Sequence, residues 1–328
     1  MNIGDTRGFS VWNCVFLYFC AMRILKLQGV ALLLFFIAQQ LAAQLPFRNS
    51  VFTQVDGVRM HYRHWDVKAG EAKGSVMLIH GFGASTFSWQ EVADSLSKLG
   101  YEVVAVDMPP FGYSDKSHRT NQSVTAHADR LRALIQQEFP ERKWHLAGHS
   151  MGGAVVQAYA LSYPGDLRSV TFVAPALFSR LRMSENPTRM LLRISPMRFI
   201  MGELAEKWVI REGRIENLLR SAYGTEPTQE QVQAYLAPLS CSGTARAILS
   251  AATFHEELRE LDAAMLDVPA LAIWGDSDSW VPHASRQKAI DRMPGVELVL
   301  MENVGHNPME THFEDFVNIW LGFLQKEH

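Results

Sequence analysis

Trp144-His-Leu-Ala-Gly-His-Ser-Met-Gly-Gly-Ala-Val-Val-Gln-Ala-Tyr-Ala160 decides how this chain folds. Its opening, Trp144 to Ala147, reads as a short buried strand, and Gly152 to Tyr163 reads as a helix. Between them stands Gly148-His149-Ser150-Met151-Gly152. A strand that hands over to a helix within so few residues must turn sharply, and bulky flanking side chains would clash there. That requirement accounts for Gly148, Gly152 and Gly153. A Gly-x-Ser-x-Gly pattern alone is weak evidence, since about one chain in ten of this length carries it by chance. Its setting between a strand and a helix gives it weight. The turn would present the Ser150 hydroxyl at the carboxyl edge of a sheet, where open α/β folds bind ligands. The helix N-terminus behind it favours developing negative charge.

The same alternation extends outward. Val51–Val55 and Val58–Trp65 are strand-like and joined by Asp56-Gly57, a hairpin signal because a type I′ turn needs positive φ. Strands are expected at Ser75–His80, Tyr101–Val106, Ser169–Ala174, Pro269–Trp274 and Val296–Met301. Helices are expected at Phe87–Leu99, closed by Gly100, and at Ser123–Phe139, Ala284–Met293 and Phe313–Gln325. Leu131, Leu134 and Ile135 share one face of the second of these. Such alternation predicts an α/β protein: a mainly parallel β-sheet with helices on both faces. It stops after Pro175. Residues 177–262 are rich in Leu, Met, Arg and Glu and read as a helical insertion, a cap or lid, splitting a core of 46–176 and 263–328.

Residues 1–45 are set apart from the body. Arg23 and Lys26 precede the apolar run Gly29–Ala38, and small residues suited to cleavage follow up to Ala43. The run is short for a membrane span, which needs about 20 apolar residues. Export after cleavage near Ala43, to a periplasmic or secreted location, is one expectation. A second apolar run, Val11–Ala21, leaves open an uncleaved anchor that associates residues 9–43 with a membrane. Met22 followed by Arg23-Ile-Leu-Lys would also serve as a signal-peptide start, so translation from Met22 rather than Met1 is a further expectation.

The body is close to an average globular protein, with 48% apolar and 20% charged residues over the 328-residue chain. A net charge of -3 gives no reason to expect nucleic acid as a partner. Of three cysteines, Cys14 and Cys20 lie in the N-terminal stretch, so Cys241 alone permits neither an internal disulfide nor a cysteine zinc site in the body.

A serine hydroxyl is a poor nucleophile without a base, and the base must be oriented by a third group. Two later segments offer both, each just past a strand: Trp274-Gly-Asp-Ser-Asp278-Ser-Trp-Val-Pro282 and Asn303-Val-Gly-His306-Asn-Pro308. With His80-Gly81-Phe82-Gly83 after an earlier strand, this body resembles the α/β-hydrolase superfamily in its capped serine-hydrolase branch, which includes esterases and lipases. The resemblance covers the chain from about residue 50 to its end. It implies Ser150 as nucleophile, His306 as base, and Asp278 as acid through the Gly275-x-x-Asp278-x-x-x-Pro282 spacing, with Asp276 as rival. Glu310 falls four residues after His306, as it often does in this family. Some members carry the acid after the strand ending near Ala174, but Ala174-Pro175-Ala176 offers none. The oxyanion donors would be the Met151 and Phe82 amides, supported by His80, Gly81, Gly148, His149 and Gly152. His80 and His149 are expected to order their loops rather than to react. Asp107–Asp115 resembles a structural family segment, departing from it with Pro110 where Gly is usual; His127 and Asp129 fit a packed or solvated helix face.

What the resemblance implies is hydrolysis of a small apolar carboxylic ester through an acyl-enzyme, without cofactor or metal. Apolar cap residues such as Leu177, Phe178, Met190–Leu192, Met197 and Phe199 would wall the acyl pocket. Alternatives are a carbon–carbon bond hydrolase of ring-cleavage products, for which Arg180, Arg182, Arg189 and Arg193 are available, a thioesterase or haloperoxidase-like activity, and a catalytically dead binding module. Haloalkane dehalogenases and epoxide hydrolases share the fold but use an aspartate nucleophile, which Ser150 disfavours.

Overall fold

The computed structural model describes residues 45–67, 72–176, 195–251 and 263–326. The body from Asn49 to the C-terminus is one compact unit. Among the described residues, its strands are β1 (Ser50–Val55), β2 (Val58–Trp65), β3 (Ser75–Ile79), β4 (Glu102–Asp107), β5 (Trp144–His149), β6 (Leu167–Val173), β7 (Ala270–Gly275) and β8 (Glu297–Met301). They form one sheet in the order β1-β2-β4-β3-β5-β6-β7-β8. β2 runs antiparallel to both its neighbours, and all other pairings are parallel. The hairpin turn uses positive φ at Asp56 (49°) and Gly57 (76°), as the Asp-Gly pair requires.

Five core helices flank the sheet: α1 (Gln90–Lys98), α2 (Val124–Glu138), α3 (Met151–Ser162), α8 (His283–Ile290) and α10 (Phe313–Leu324). Between β6 and β7 come α4 (Ser195–Trp208), α5 (Glu212–Tyr223), α6 (Gln229–Leu239) and α7 (Thr244–Ala251); a one-turn α9 (Pro308–Thr311) precedes α10. No strand interrupts the β6–β7 connection among the described residues. Leu177, Phe178, Met190–Leu192 and the four candidate arginines of this connection lie outside the described residues.

Side chains alternate across the sheet with a period of two. Met77, Ile79, Val104, Val106 and Phe172 point to one face, where α2 and α3 supply Leu131, Leu134, Val155, Val156 and Tyr159. Val76, Leu78, Val103, Ala105 and Ile273 point to the other, against Leu96 of α1 and Phe316, Trp320 and Phe323 of α10. Strands buried on both faces carry continuous apolar runs, which is why β3 and β4 read so clearly as sequence. The expected first helix begins instead as a 3₁₀ turn, Thr86–Trp89, because Ser85 Oγ accepts from the Phe87 amide and fixes a tight entry. A smaller apolar cluster joins Ala84 to Ile215, Leu219 and Tyr223 of α5 and to Val232, Tyr235 and Leu239 of α6. It seats these helices over the carboxyl end of β3. No described helix is long and apolar enough to cross a membrane.

Candidate active site

The turn after β5 holds Ser150 at φ 49°, ψ -115°, a conformation that costs a non-glycine residue about 1–3 kcal/mol. Three backbone hydrogen bonds sustain it. The Ser150 amide donates to Val173 O (2.9 Å), and its carbonyl accepts from Gly153 and Ala176 (2.9 Å each). The turn is also crowded. A Cβ on Gly148 would lie 2.3 Å from Gly152 O, and one on Gly152 would lie 2.5 Å from Ile79 O. Both contacts are to backbone, so neither can relax cheaply. Met151 is the first residue of α3, where amides have no intrahelical partner.

The loop after β3 comes alongside. Gly81 packs so close that a Cβ there would meet His149 Nδ1 at 2.7 Å and Ser150 Cβ at 3.2 Å. His80 orders this loop. It is fully buried, its Nδ1 faces Gly81 O at 2.7 Å and its Nε2 accepts from the Met108 amide at 3.0 Å. One ring nitrogen donates and the other accepts, so the ring is neutral, and burial pushes it below the usual histidine range. Phe82 exposes 61% of its surface and rests edge-on against Phe111.

Asp278 follows β7 and His306 follows β8. The Asp278 Oδ2 atom accepts from His306 Nδ1 (2.8 Å) and Trp274 Nε1 (3.0 Å), while Oδ1 accepts from the Trp280 and Val281 amides (2.8 and 2.9 Å). Burial opposes its charge, but the bonds from His306 and from these amides outweigh that and hold the carboxyl below its usual range. Since Nδ1–H faces the carboxylate, a neutral His306 presents its lone pair at Nε2. Two aromatic rings lie against the imidazole. Trp280 stacks on it at 5.3 Å and 23°, and His149 lies at 4.8 Å, tilted by 55°. His149 Nε2 donates to the His306 carbonyl (3.0 Å), which links the residue before Ser150 to the candidate base. Burial, with His306 alongside, pushes His149 well below the usual histidine range. The rival Asp276 turns away and accepts from the Asn303 amide (2.8 Å) and Ser277 Oγ (2.9 Å), tying the two loops together.

Asp278 and His306 therefore pair at the carboxyl edge of the sheet, and His149 ties the His306 backbone to the Ser150 turn, with Gly81 packed beside it. Several supporting residues brace the site, Asp107 from the segment that resembles the family's loop motif and others outside any motif. Asp107, fully buried, accepts from His61 Nδ1 (2.6 Å) and from the Thr86 and Tyr113 amides (2.6 and 2.7 Å), and thereby anchors the segment behind the His80 loop. Trp274 and Trp280 brace Asp278. Their only sequence signal is proximity to the Gly275–Pro282 spacing. His127 is packed, not solvated, and burial pushes it down to about 3. A possible metal cluster, His64, Asp66 and Glu102, sits at the opposite end of the sheet, where Glu102 is already engaged by Arg142 (3.1 Å) and Ser75 (2.9 Å).

The sheet order, the strained serine turn and the helical connection after β6 are those of a hydrolase fold. The alpha/beta hydrolase fold family matches residues 74–313, and the chain belongs to that family. Among its relatives is Lipase 3 of Moraxella sp. (strain TA144), 26% identical over 275 residues that cover 83% of this chain and 82% of the lipase. Another is a 2-hydroxy-6-oxononadienedioate/2-hydroxy-6-oxononatrienedioate hydrolase of Paraburkholderia phymatum, 25% identical over 81% of this chain and 91% of that enzyme. Among solved structures, a membrane phospholipase A is similar with a TM-score of 0.64 and 26% identity, covering 94% of this chain and 97% of its own.

Proposed function

We propose that this hydrolase-fold enzyme cleaves a carboxylic ester with Ser150 as nucleophile, His306 as general base and Asp278 as the group that orients it. The observation that carries the reading is the 2.8 Å Asp278–His306 pair delivered beside the strained Ser150 turn. In the first step the Ser150 oxygen attacks the ester carbonyl as His306 Nε2 takes its proton. The carbonyl oxygen becomes an oxyanion held by the Phe82 and Met151 amides, a contribution of about 3 kcal/mol per donor in comparable sites. Collapse expels the alcohol, which receives the proton from His306. Water, deprotonated by the same nitrogen, then releases the acid. Neither metal nor organic cofactor enters these steps. Exposed Phe82 and the helices α4–α7, acting as a cap, suit a small apolar ester. Lipase relatives support that class.

The ring-cleavage hydrolase relative supports a second reading, carbon–carbon bond hydrolysis with the same three residues. The assay that separates them offers the full-length protein p-nitrophenyl esters of increasing acyl length and a ring-cleavage dienoate, with Ser150→Ala as control. Ester turnover lost in the control is the expected result. Dienoate cleavage without ester turnover would select the second reading. Absence of both, with no fluorophosphonate labelling, would reduce the fold to a binding module. We also read residues 9–43, which fall outside the described residues, as an export or membrane-anchoring segment. N-terminal sequencing of the mature protein tests this, with cleavage near Ala43 expected for export and an intact segment in the membrane fraction for an anchor.

A further inference from the structure

The loop that carries His306 leaves the sheet and lands on the inserted helices. The His306 amide donates to Ala222 O at 2.7 Å. A Cβ on Gly305 would lie 2.6 Å from Ala222 O and 2.7 Å from Tyr223 O, so the loop backbone lies directly on the last turn of α5. The acid loop touches the same turn. Trp280 Nε1 donates to Ser221 Oγ (3.1 Å), and Ser279 Oγ donates to Ser221 O (3.3 Å). Glu310, in α9, fastens this contact. Its Oε1 accepts from Tyr235 of α6 (2.6 Å) and from Asn307 Nδ2 (2.7 Å), and its Oε2 accepts from Tyr223 of α5 (2.8 Å). One carboxyl gathers both helices and the residue next to His306.

We propose that Glu310 is a positioning residue that clasps α5 and α6 onto the His306 loop, so that seating of the inserted helices and alignment of the imidazole are one event. The inference rests on His306 being the base. All three partners donate, and an ionised carboxylate only accepts, so the charged form satisfies the whole set. A protonated Glu310 must place its own hydrogen among groups already donating to it, which takes one link from the clasp. Packing pushes this carboxyl up to about 7, against the pull of the bonds from Tyr235, Asn307 and Tyr223. The ionisable groups around it are the two tyrosines, held neutral by burial beside it, His306 on the adjoining loop, and Glu91 and Glu230, which share with Glu310 a cavity of about 170 Å³. Ionisation of Glu310 through neutrality therefore alters the clasp, completing its three bonds while placing a charge where burial opposes it.

The test follows the rate of fluorophosphonate labelling at Ser150 in the full-length protein against pH, for wild type, Glu310→Gln and Tyr223→Phe, beside amide hydrogen exchange at His306. Glu310→Gln should slow labelling about 10- to 100-fold, the scale of an ångström of misplacement, and should remove one ionisation from the pH profile. Tyr223→Phe, which loses one hydrogen bond, should slow it about fivefold and keep that ionisation. In both, the His306 amide should exchange faster. If Glu310→Gln fails to fold, Tyr223→Phe decides. Wild-type labelling profiles and wild-type His306 exchange in folded variants would overturn the clasp. A wild-type protein that is not labelled at all would overturn the role of Ser150 instead, and His306 exchange would then decide the clasp by itself.

Discussion

The Ser150 turn and the His306 loop arrive at the same edge of the sheet but are built differently. Ser150 is fixed by backbone. Its amide and carbonyl bond to Val173, Gly153 and Ala176, and Gly152 backs against Ile79 O with no room for a methyl group. His306 is fixed by side chains and by helices outside the sheet: Asp278 at its Nδ1, Trp280 on its face, Ala222 O at its amide. The first arrangement cannot shift without undoing β5, β6 and α3. The second can shift with α5 and α6 while the core stays whole. Rigidity at Ser150 and adjustability at His306 would let α5 and α6 act on the proposed chemistry through His306 alone.

The largest effect should come from breaking the adjustable side at its centre. Asp278→Asn keeps the shape but offers Nδ1–H a poorer partner and favours the wrong tautomer. Ester turnover should fall about a thousand- to ten-thousand-fold with an unchanged melting temperature. A loss under tenfold would mean that Asp278 does not orient His306.

Two glycine substitutions contrast the halves directly. Gly152→Ala forces a Cβ to 2.5 Å from Ile79 O inside the sheet and should cost about 3 kcal/mol of stability along with activity. Gly305→Ala forces one to 2.6 Å from Ala222 O, where α5 can yield, so activity should fall with a much smaller change in melting temperature. Gly165→Ala, with nothing within 4 Å, is the control and should alter stability by less than about 0.5 kcal/mol. Equal destabilisation by the first two would erase the distinction between a rigid and an adjustable half.

That distinction also tracks what could be read from sequence. The Ser150 turn is local chemistry: a strand, glycines where side chains clash and a helix, all within Trp144–Ala160. The hairpin at Asp56-Gly57 and the apolar runs of β3 and β4 were legible for the same reason, whereas the choice of Asp278 over Asp276, and of His306, came from the resemblance to the α/β-hydrolase superfamily, the residues alone showing only that each lies on a loop after a readable strand. The bracing was not legible. Tyr235 and Glu310 are 75 residues apart, and His61 and Asp107 are 46 apart, so no periodicity connects them. Trp280 could be read as a loop aromatic but not as the plate over His306. The 3₁₀ entry at Thr86–Trp89 was missed because apolar spacing alone does not separate a 3₁₀ turn from the first turn of an α-helix.

A smaller effect concerns that plate. In the proposed mechanism His306 becomes a cation as it takes the serine proton, and an indole face stacked on it attracts that charge by about 0.5–1 kcal/mol at a partly exposed site. Trp280 is 41% exposed and stacked at 5.3 Å. Trp280→Ala should therefore lower kcat about two- to fivefold with little change in KM, and Trp280→Phe should recover most of it. A change in KM alone would assign the indole to substrate binding.

The last predicted effect is a pH-dependent difference in stability. Glu310 ionises near 7 in the fold against 4.5 in the unfolded chain, so between those values the folded state holds a proton that the unfolded state has released. By linkage its stabilising contribution is fully present below about 4.5 and is lost as pH rises through about 7. Buried His127 has the opposite sign. It ionises near 3 in the fold against 6.5 unfolded, so its contribution is present above 6.5 and is lost as pH falls toward 3. His80 and His149, also held below the ordinary range, act in the same direction as His127. Wild type should accordingly be most stable near neutrality, with an acid slope from the histidines partly offset by Glu310. In Glu310→Gln the offset disappears and the acid slope steepens. Relative to wild type, the variant should gain on the order of 2–3 kcal/mol, several degrees in melting temperature, as pH is raised from about 4.5 to 7. Melting curves collected across that window for both proteins read this difference. Parallel curves would mean that Glu310 is ionised throughout, and that the clasp holds α5 and α6 to the His306 loop with equal strength at every pH.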